Sequence, residues 1–401
     1  MISSALIFQS ETNVLKEAKY KVAVEVQRIF RPHKHGMDIV ALEILKRLPF
    51  VEDDFDYYVM VKDDTDQCLS NIPHRIIHTI KKIPYFIWEQ FLLPKACRQV
   101  HADFLHCTAN TAPLYTGMPL VLTLHDVIFL ERSNLRSGGN LYQSLGNIYR
   151  SIIVSAIAKR ATLIITVSHF QKQLIAEKLG ISPQKIRVIY NGVDQSFFKE
   201  LTQPEILQVM RKHHLSEGYI LFLSNTDPRK NTIGVLHAYN ELLKQGIAVP
   251  RLLIKGLSQE QLLKLLWQEK LEGIYYHIDV IGYIDKDELP AIYRAAGMLW
   301  FPSFSEGFGL PIIEAMASGT PVITSNISCM PEIAGDAALL INPENPKDIA
   351  NAACLLIKDA PFAARLAAKG YLRAATFTWE RAATETVKVY HEVEDIKLKK
   401  K

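Results

Sequence analysis

The chain has 401 residues, enough for two domains that each bury a core. Its 48% hydrophobic and 22% charged residues exclude a disordered or fibrous chain, and a formal net charge of +4 is too small to argue for a nucleic-acid partner. Five cysteines (Cys68, Cys97, Cys107, Cys329 and Cys354), odd in number and with no C-x-x-C pair, read as reduced thiols of a cytoplasmic compartment, not as a disulfide framework or a zinc site.

Residues 1–20 lack a basic start and a clean apolar block, so they read as a poorly ordered leader and not a signal peptide. Short apolar, β-branched runs then alternate with helical patterns. KVAVEVQ (21–27), DYYVMV (56–61), DFLHCT (103–108), LVLTLHD (120–126), TLIITVS (162–168) and KIRVIYNG (185–192) make a first series. YILFLSN (219–225), RLLIKG (251–256), IDVIGYI (278–284), MLWFPS (298–303), PVITSN (321–326) and ALLINP (338–343) make a second. Runs without strict alternation, separated by helices, predict parallel strands buried on both faces. The break at VDQSFFKELTQPEI (193–206) separates a domain over 21–195 from one over 196–376. Each is expected to be an α/β, Rossmann-like, doubly wound sheet, and the two to face a central cleft. FTWERAATETVKVYHEV predicts a C-terminal helix over 377–395 that crosses back to the first domain.

Three stretches along the way have rival explanations. Asp64-Thr65-Asp66 has the spacing of a metal-binding triplet but lies far in sequence from the phosphate-binding candidates described next; it reads as a solvated loop, and no catalytic metal is expected. SNIPHRIIHTIKKIPYFIWEQFLLP (70–94) mixes basic, apolar and aromatic residues. It suits either peripheral contact with an anionic membrane or a buried helix pair joined at Pro84. The terminal KLKKK reads as a solvated end.

The most informative stretch is PSFSEGFGLPIIEAMASG (302–319). A strand ending at Pro302 or Ser303 runs into a glycine turn and then a helix, with Pro311 in its first turn and its end near Gly319. Free backbone amides at such a helix start bind anions, most naturally phosphate. Glu306 lies on the turn and Glu314 is expected in the first helical turn. Ionised carboxylates only accept hydrogen bonds, which suits them to gripping the diols of a sugar or a ribose. Taken singly, Glu314 need only complement the helix dipole and Glu306 be a solvated loop residue. Framing G-F-G-L-P together, the two point to a nucleotide sugar. Arg229 and Lys230 in TDPRKN (226–231) also sit between a strand and a helix, where cations neutralise a departing diphosphate. His125 and Asp126 end LVLTLHD at the carboxyl edge, where open α/β sheets bind ligands.

SEGFGLPIIEAMASGTPVI resembles the E-x7-E motif of glycosyltransferase family 4, retaining enzymes of the GT-B fold, and the likeness runs over nearly the whole chain. TVSHFQKQLIAEKLGISPQKIRVIYNGVD (166–194) resembles the family's segment before the interdomain linker. TDPRKN resembles its E-P-R-K-N loop with Asp227 in place of the glutamate, and LTLHDVIFLE (122–131) resembles the branch of bacterial polysaccharide mannosyltransferases. The resemblance implies that Glu306 contacts the donor sugar, Glu314 the ribose, and the amides of Gly307, Phe308, Gly309 and Leu310 the phosphate and sugar. It implies Lys230 and Arg229 on the diphosphate, His125 near the reaction centre and Asp126 on the acceptor side. Gly36 in KHGMD, where relatives carry two glycines, is a candidate for close backbone approach, and Tyr283 and Ile284 for the base. Some relatives carry another arginine where this chain has Ser224.

The expected partners are therefore a nucleotide sugar and a glycan or lipid-linked acceptor, with no cofactor or metal. GDP-mannose is the leading donor and UDP-glucose or UDP-N-acetylglucosamine the alternatives. The expected place is the cytoplasm, at the inner face of the membrane if residues 70–94 bind lipid. A nucleotide-sugar epimerase of the same architecture needs acid and base carboxylates at the sugar and no acceptor; the pairing of TDPRKN with E-x7-E argues against it. A NAD-dependent dehydrogenase needs G-x-G-x-x-G after the first strand, which is lacking. A non-catalytic sugar-binding partner is separated only by an activity assay.

Overall fold

The computed structural model describes residues 19–32, 34–81, 83–127 and 153–399. Among these, seven strands form a first sheet: β1 (Tyr20–Glu25), β2 (Phe55–Lys62), β3 (Arg75–Ile80), β4 (Phe104–Cys107), β5 (Leu120–Thr123), β6 (Leu163–Thr166) and β7 (Ile186–Val188). Six form a second: β8 (Ile220–Leu223), β9 (Leu252–Lys255), β10 (Ile278–Ile281), β11 (Met298–Phe301), β12 (Val322–Ser325) and β13 (Leu339–Ile341). The first has the order β3-β2-β1-β4-β5-β6-β7 and the second β10-β9-β8-β11-β12-β13. Every pairing is parallel. These are two Rossmann-like, doubly wound sheets, the fold expected.

All four residues are buried in each of β4, β5, β6, β11 and β12, which is why their sequences are continuous apolar runs. The strand order reverses between β1 and β4 in one sheet and between β8 and β11 in the other. Those are the points where loops at the carboxyl edge diverge and leave a crevice for a ligand.

Residues 70–94 correct one expectation. They are not a helix pair: Arg75–Ile80 is β3, the edge strand beside β2, and Pro84 precedes a single helical run over 85–99 with a π turn at Trp88–Leu92. Arg75, His78 and Thr79 break the apolar run, as an edge strand tolerates. Arg75 is itself buried, with its guanidinium donating to the carbonyls of Ser70 and Leu45 at 3.1 Å. A charge in the pattern thus concealed a strand.

The Trp379–Leu398 helix packs on the first sheet: Trp379, Ala382, Val387, Tyr390 and Val393 share a core with Val22, Phe55 and Phe104. Thr378 caps its start by accepting from the Arg381 amide. The Tyr390 hydroxyl lies 2.7 Å from Nδ1 of His106, whose Nε2 lies 2.8 Å from Thr123 Oγ1. Burial pushes the His106 pKa down to about 3, so the ring is neutral, one nitrogen donating and the other accepting. Fully burying one large apolar side chain contributes about 1.5–3 kcal/mol, so these contacts tie the helix to the first domain although it follows the second in sequence.

Candidate active site

The turn after β11 is set by Gly309, at φ +93°, where a side chain would be strained and a Cβ would sit 3.1 Å from Ile312 Cδ1. The Leu310–Ala317 helix starts there with Pro311 at its second position, burying Ile312, Ile313, Ala315 and Met316, and its chain turns away at Gly319. Two boundaries differ from expectation. The strand ends at Phe301, and Glu314 is the fifth residue of the helix, so it lies in the second turn. A glycine in the left-handed region lets the helix begin immediately after it, earlier than the proline alone indicates.

Across the switch point, Pro228–Lys230 forms a 3₁₀ turn after β8, followed by the Thr232–Leu243 helix. Asn231 pins this loop to the next, donating to the carbonyls of Pro302 at 3.1 Å and Pro343 at 2.7 Å. Lys230 Nζ stands 2.6 Å from Glu306 Oε1 and 4.9 Å from the centre of the Phe301 ring. Arg229 is held by Asp227 (Nη2 to Oδ2, 3.0 Å), and its Nη1 donates to the Ser305 carbonyl at 3.4 Å. Burial works against the guanidinium charge, but the bond and charge of Asp227 outweigh it and hold the pKa above its ordinary value. Asp227, substituting for the longer acid in the related motif, thus still orients Arg229.

Glu314 meets a different environment. Tyr293 donates its hydroxyl to Oε2 at 2.7 Å. Burial raises the carboxyl pKa, and the Tyr293 bond and the charges of Lys255 and Lys286 only partly offset it.

The first domain reaches this turn directly. A Cβ on Gly307 would lie 2.5 Å from the His125 carbonyl oxygen, so only glycine permits the contact. Ser168 Oγ donates to the Gly307 carbonyl at 2.9 Å and Gln171 Nε2 to the Glu306 carbonyl at 3.1 Å. Ser328 Oγ accepts from the Glu306 amide at 3.2 Å. His125 is buried; its Nε2–H donates to the Thr108 carbonyl at 2.9 Å, and its backbone amide donates to Asn110 Oδ1 at 2.7 Å. Burial lowers its pKa, so the ring is neutral and Nδ1 is an acceptor. Asp126 follows at the same edge, its Cβ 3.7 Å from the Cβ position of Gly307.

The remaining candidates separate by what they can offer. Gly36 opens the Gly36–Arg47 helix after β1, and a Cβ there meets nothing within 4 Å, leaving room for a ligand at that first turn. Asp38 in the same turn contributes to the field at His125, which places this helix start near the histidine. Phe308 and Leu310 have packed side chains and so only backbone to offer a ligand: the Phe308 ring is buried against Tyr190 and Phe377, and Leu310 packs against the cores of both domains. Tyr283, 68% exposed after β10, can present its ring, whereas Ile284 is 3% exposed within the core and has only backbone to give. Asp64-Thr65-Asp66 lies in a loop with Thr65 exposed, as expected of a solvated stretch, although Asp66 is ion-paired with Lys34 and its amide donates to the Phe30 carbonyl. The sequence reading missed Tyr293, Ser168, Gln171 and Ser328; of these only Ser168, in the helix-start pattern TVSHF, carries a local signal.

Comparison with known proteins agrees with this geometry. Residues 34–197 match the model of glycosyltransferase family 4, and residues 208–373 that of the glycosyl transferases group 1. The O-antigen chain mannosyltransferase B of Escherichia coli is 28% identical over 375 residues, which span 88% of this chain and 95% of that protein. The structure of sucrose-phosphate synthase from Thermosynechococcus elongatus superposes with a TM-score of 0.72 at 19% identity, over 94% of this chain and 100% of that one. Anabaena HepE in complex with UDP and glucose gives 0.70 at 19% identity, over 93% and 100%. At such identity these structural likenesses establish the shared GT-B fold.

Proposed function

This chain is a glycosyltransferase and belongs to glycosyltransferase family 4, and on that premise we propose that it transfers mannose, with retention, from GDP-mannose to a glycan or lipid-linked acceptor in surface polysaccharide synthesis. The observation that carries the reading is the 2.6 Å pairing of Lys230 with Glu306 at the β8/β11 switch point, beside the turn Gly307–Leu310. An ammonium has three donors, so Lys230 can keep Glu306 and still meet the leaving diphosphate. The donor's diphosphate lies against Lys230, Arg229 and the amides of Gly307 to Leu310, its sugar against Glu306, its ribose against Glu314 and its base near Tyr283 and the Ile284 backbone. The acceptor enters from the first domain past Gly36, His125 and Asp126.

The acceptor hydroxyl attacks the anomeric carbon on the face the diphosphate leaves. The bond from that carbon to the diphosphate oxygen breaks, the electron pair goes to the diphosphate, and the hydroxyl proton passes to a leaving phosphate oxygen. Lys230, Arg229 and the turn amides stabilise the charge that develops. Neutral His125 offers Nδ1 as an acceptor at the reaction centre. No step uses a metal, so transfer is expected to survive EDTA; loss restored by Mg²⁺ or Mn²⁺ counts against this scheme.

The name of the Escherichia coli relative supports mannose and a surface polysaccharide. Among the described residues no helix is long and apolar enough to cross a membrane. Phe86 and Phe91, 48% and 61% exposed and edge-to-face at 6.1 Å, support contact with the inner membrane surface, where a lipid-linked acceptor would lie. Assays with GDP-mannose, UDP-glucose and UDP-N-acetylglucosamine, together with calorimetry of GDP and UDP, test the reading. It predicts transfer from GDP-mannose and tighter binding of GDP; preference for UDP removes the mannose assignment.

A further inference from the structure

The His169–Leu179 helix of the first domain points its start at the second domain. A helix leaves the amides of its first turn without acceptors inside it, and here those of His169, Phe170 and Gln171 each meet one. The Gln171 amide donates to Ser168 Oγ at 3.2 Å, while the Lys172 amide makes the helix's own first bond, to the Ser168 carbonyl at 3.0 Å. The other two go across the cleft: the His169 amide donates to Glu332 Oε1 at 2.7 Å and the Phe170 amide to Glu332 Oε2 at 3.0 Å. Tyr190, which follows β7, adds its hydroxyl to Glu332 Oε1 at 2.8 Å. Burial and then this bond push its pKa up to about 12, so it stays a donor at neutral pH.

Glu332 belongs to the second domain, on the short Met330–Ala334 helix. Arg373 holds it from behind, donating to the carbonyls of Glu332 at 2.7 Å and Ile333 at 3.0 Å. A carboxylate taking two amides and a hydroxyl at a positive helix end is a charge-assisted contact with no equivalent once the domains part. The same helix start carries Ser168 and Gln171, which grip the carbonyls of Gly307 and Glu306.

We propose that Glu332 is a positioning residue: it latches the first domain's His169 helix onto the second domain and so fixes the backbone of the Glu306–Gly307 turn for transfer. This rests on the reading of that turn as the donor site. The latch is external to the reacting atoms, so it acts on closure and not on nucleotide binding.

Glu332→Ala, Glu332→Gln and Ser168→Ala in the full chain test it. Small-angle scattering without substrate should show a larger radius of gyration for Glu332→Ala, and amide exchange at His169 and Phe170 should accelerate. The kcat should fall roughly tenfold to a hundredfold, as for a modest misplacement of reacting groups, while the dissociation constant of free nucleoside diphosphate changes less than about twofold. The fraction of donor hydrolysed instead of transferred should rise. Glu332→Gln, which keeps one acceptor oxygen, should lie between wild type and Ala, and Ser168→Ala should follow the same direction more weakly. An unchanged radius and kcat in Glu332→Ala overturns the proposal. A loss of nucleotide affinity equal to the loss of kcat also overturns it, because that marks damage within the second domain. If Glu332→Ala does not fold, the other two variants carry the same comparison. Absence of transfer by the wild type defeats the donor-site reading instead, and scattering still reports on the latch.

Discussion

Glu306 lies on the glycine turn and Glu314 in the second turn of the helix that follows it, and the fold gives them opposite surroundings. Glu306 faces a cation across the switch point and lies on a backbone gripped by the other domain. Glu314 has its hydrogen bond within its own domain, to Tyr293, and burial favours its protonated form. A carboxylate beside a lysine at a domain seam senses closure and the departing charge, whereas one sunk in a single domain holds a ligand whether or not the cleft is shut. The first suits a reacting sugar, the second the part of the donor that only binds.

The comparison breaks most visibly at Lys230. Lys230→Ala removes a charge-stabilising donor and should lower turnover by roughly two to three orders of magnitude. Near-normal turnover in a folded variant would leave Lys230 as no more than the partner of Glu306.

The two glutamates themselves should differ in kind more than in size. Glu314→Gln should weaken binding of free nucleoside diphosphate by about 1.5–3 kcal/mol, the loss of a charge-assisted bond. Glu306→Gln should cost transfer a similar amount and leave nucleotide affinity nearly intact. Calorimetry and initial rates on both variants decide this, and equal loss of nucleotide affinity in the two would erase the distinction.

The smallest effect concerns pH. A ribose-gripping Glu314 must be ionised, and its pKa is raised by burial against the opposing Tyr293 bond. Nucleotide affinity should therefore fall on acidification, beginning nearer neutrality than for an ordinary glutamate. Tyr293→Phe removes the bond that lowers the pKa, so this acid limb should move further up. The difference between variant and wild type cancels titration of the nucleotide itself. An acid limb that stays in place or moves down would separate Tyr293 from the behaviour of Glu314.

The two domains were not equally legible. In the second, all six strands lie within predicted runs that are mostly apolar, with Lys255, Asp279, Thr324 and Ser325 as the polar exceptions, and the turn between the glutamates carries its own glycine and proline signals. In the first, the edge strand β3 was missed because an edge tolerates Arg75, His78 and Thr79. Part of the resemblance to mannosyltransferases, residues 128–131, lies outside the described residues, as does the leader up to residue 18. Local patterns alone thus determined the class of fold and the positions of the glycine turn and of the basic loop after β8. The structure decided which partner each residue meets: Glu306 with Lys230, Glu314 with Tyr293, Gly307 with the His125 backbone and Glu332 with the amides of His169 and Phe170. Those partners lie between 21 and 182 positions apart, and periodicity and turn chemistry act over a few residues, so it takes the β8–β11 adjacency and helix packing of the second domain, and the docking of the two domains, to bring them together.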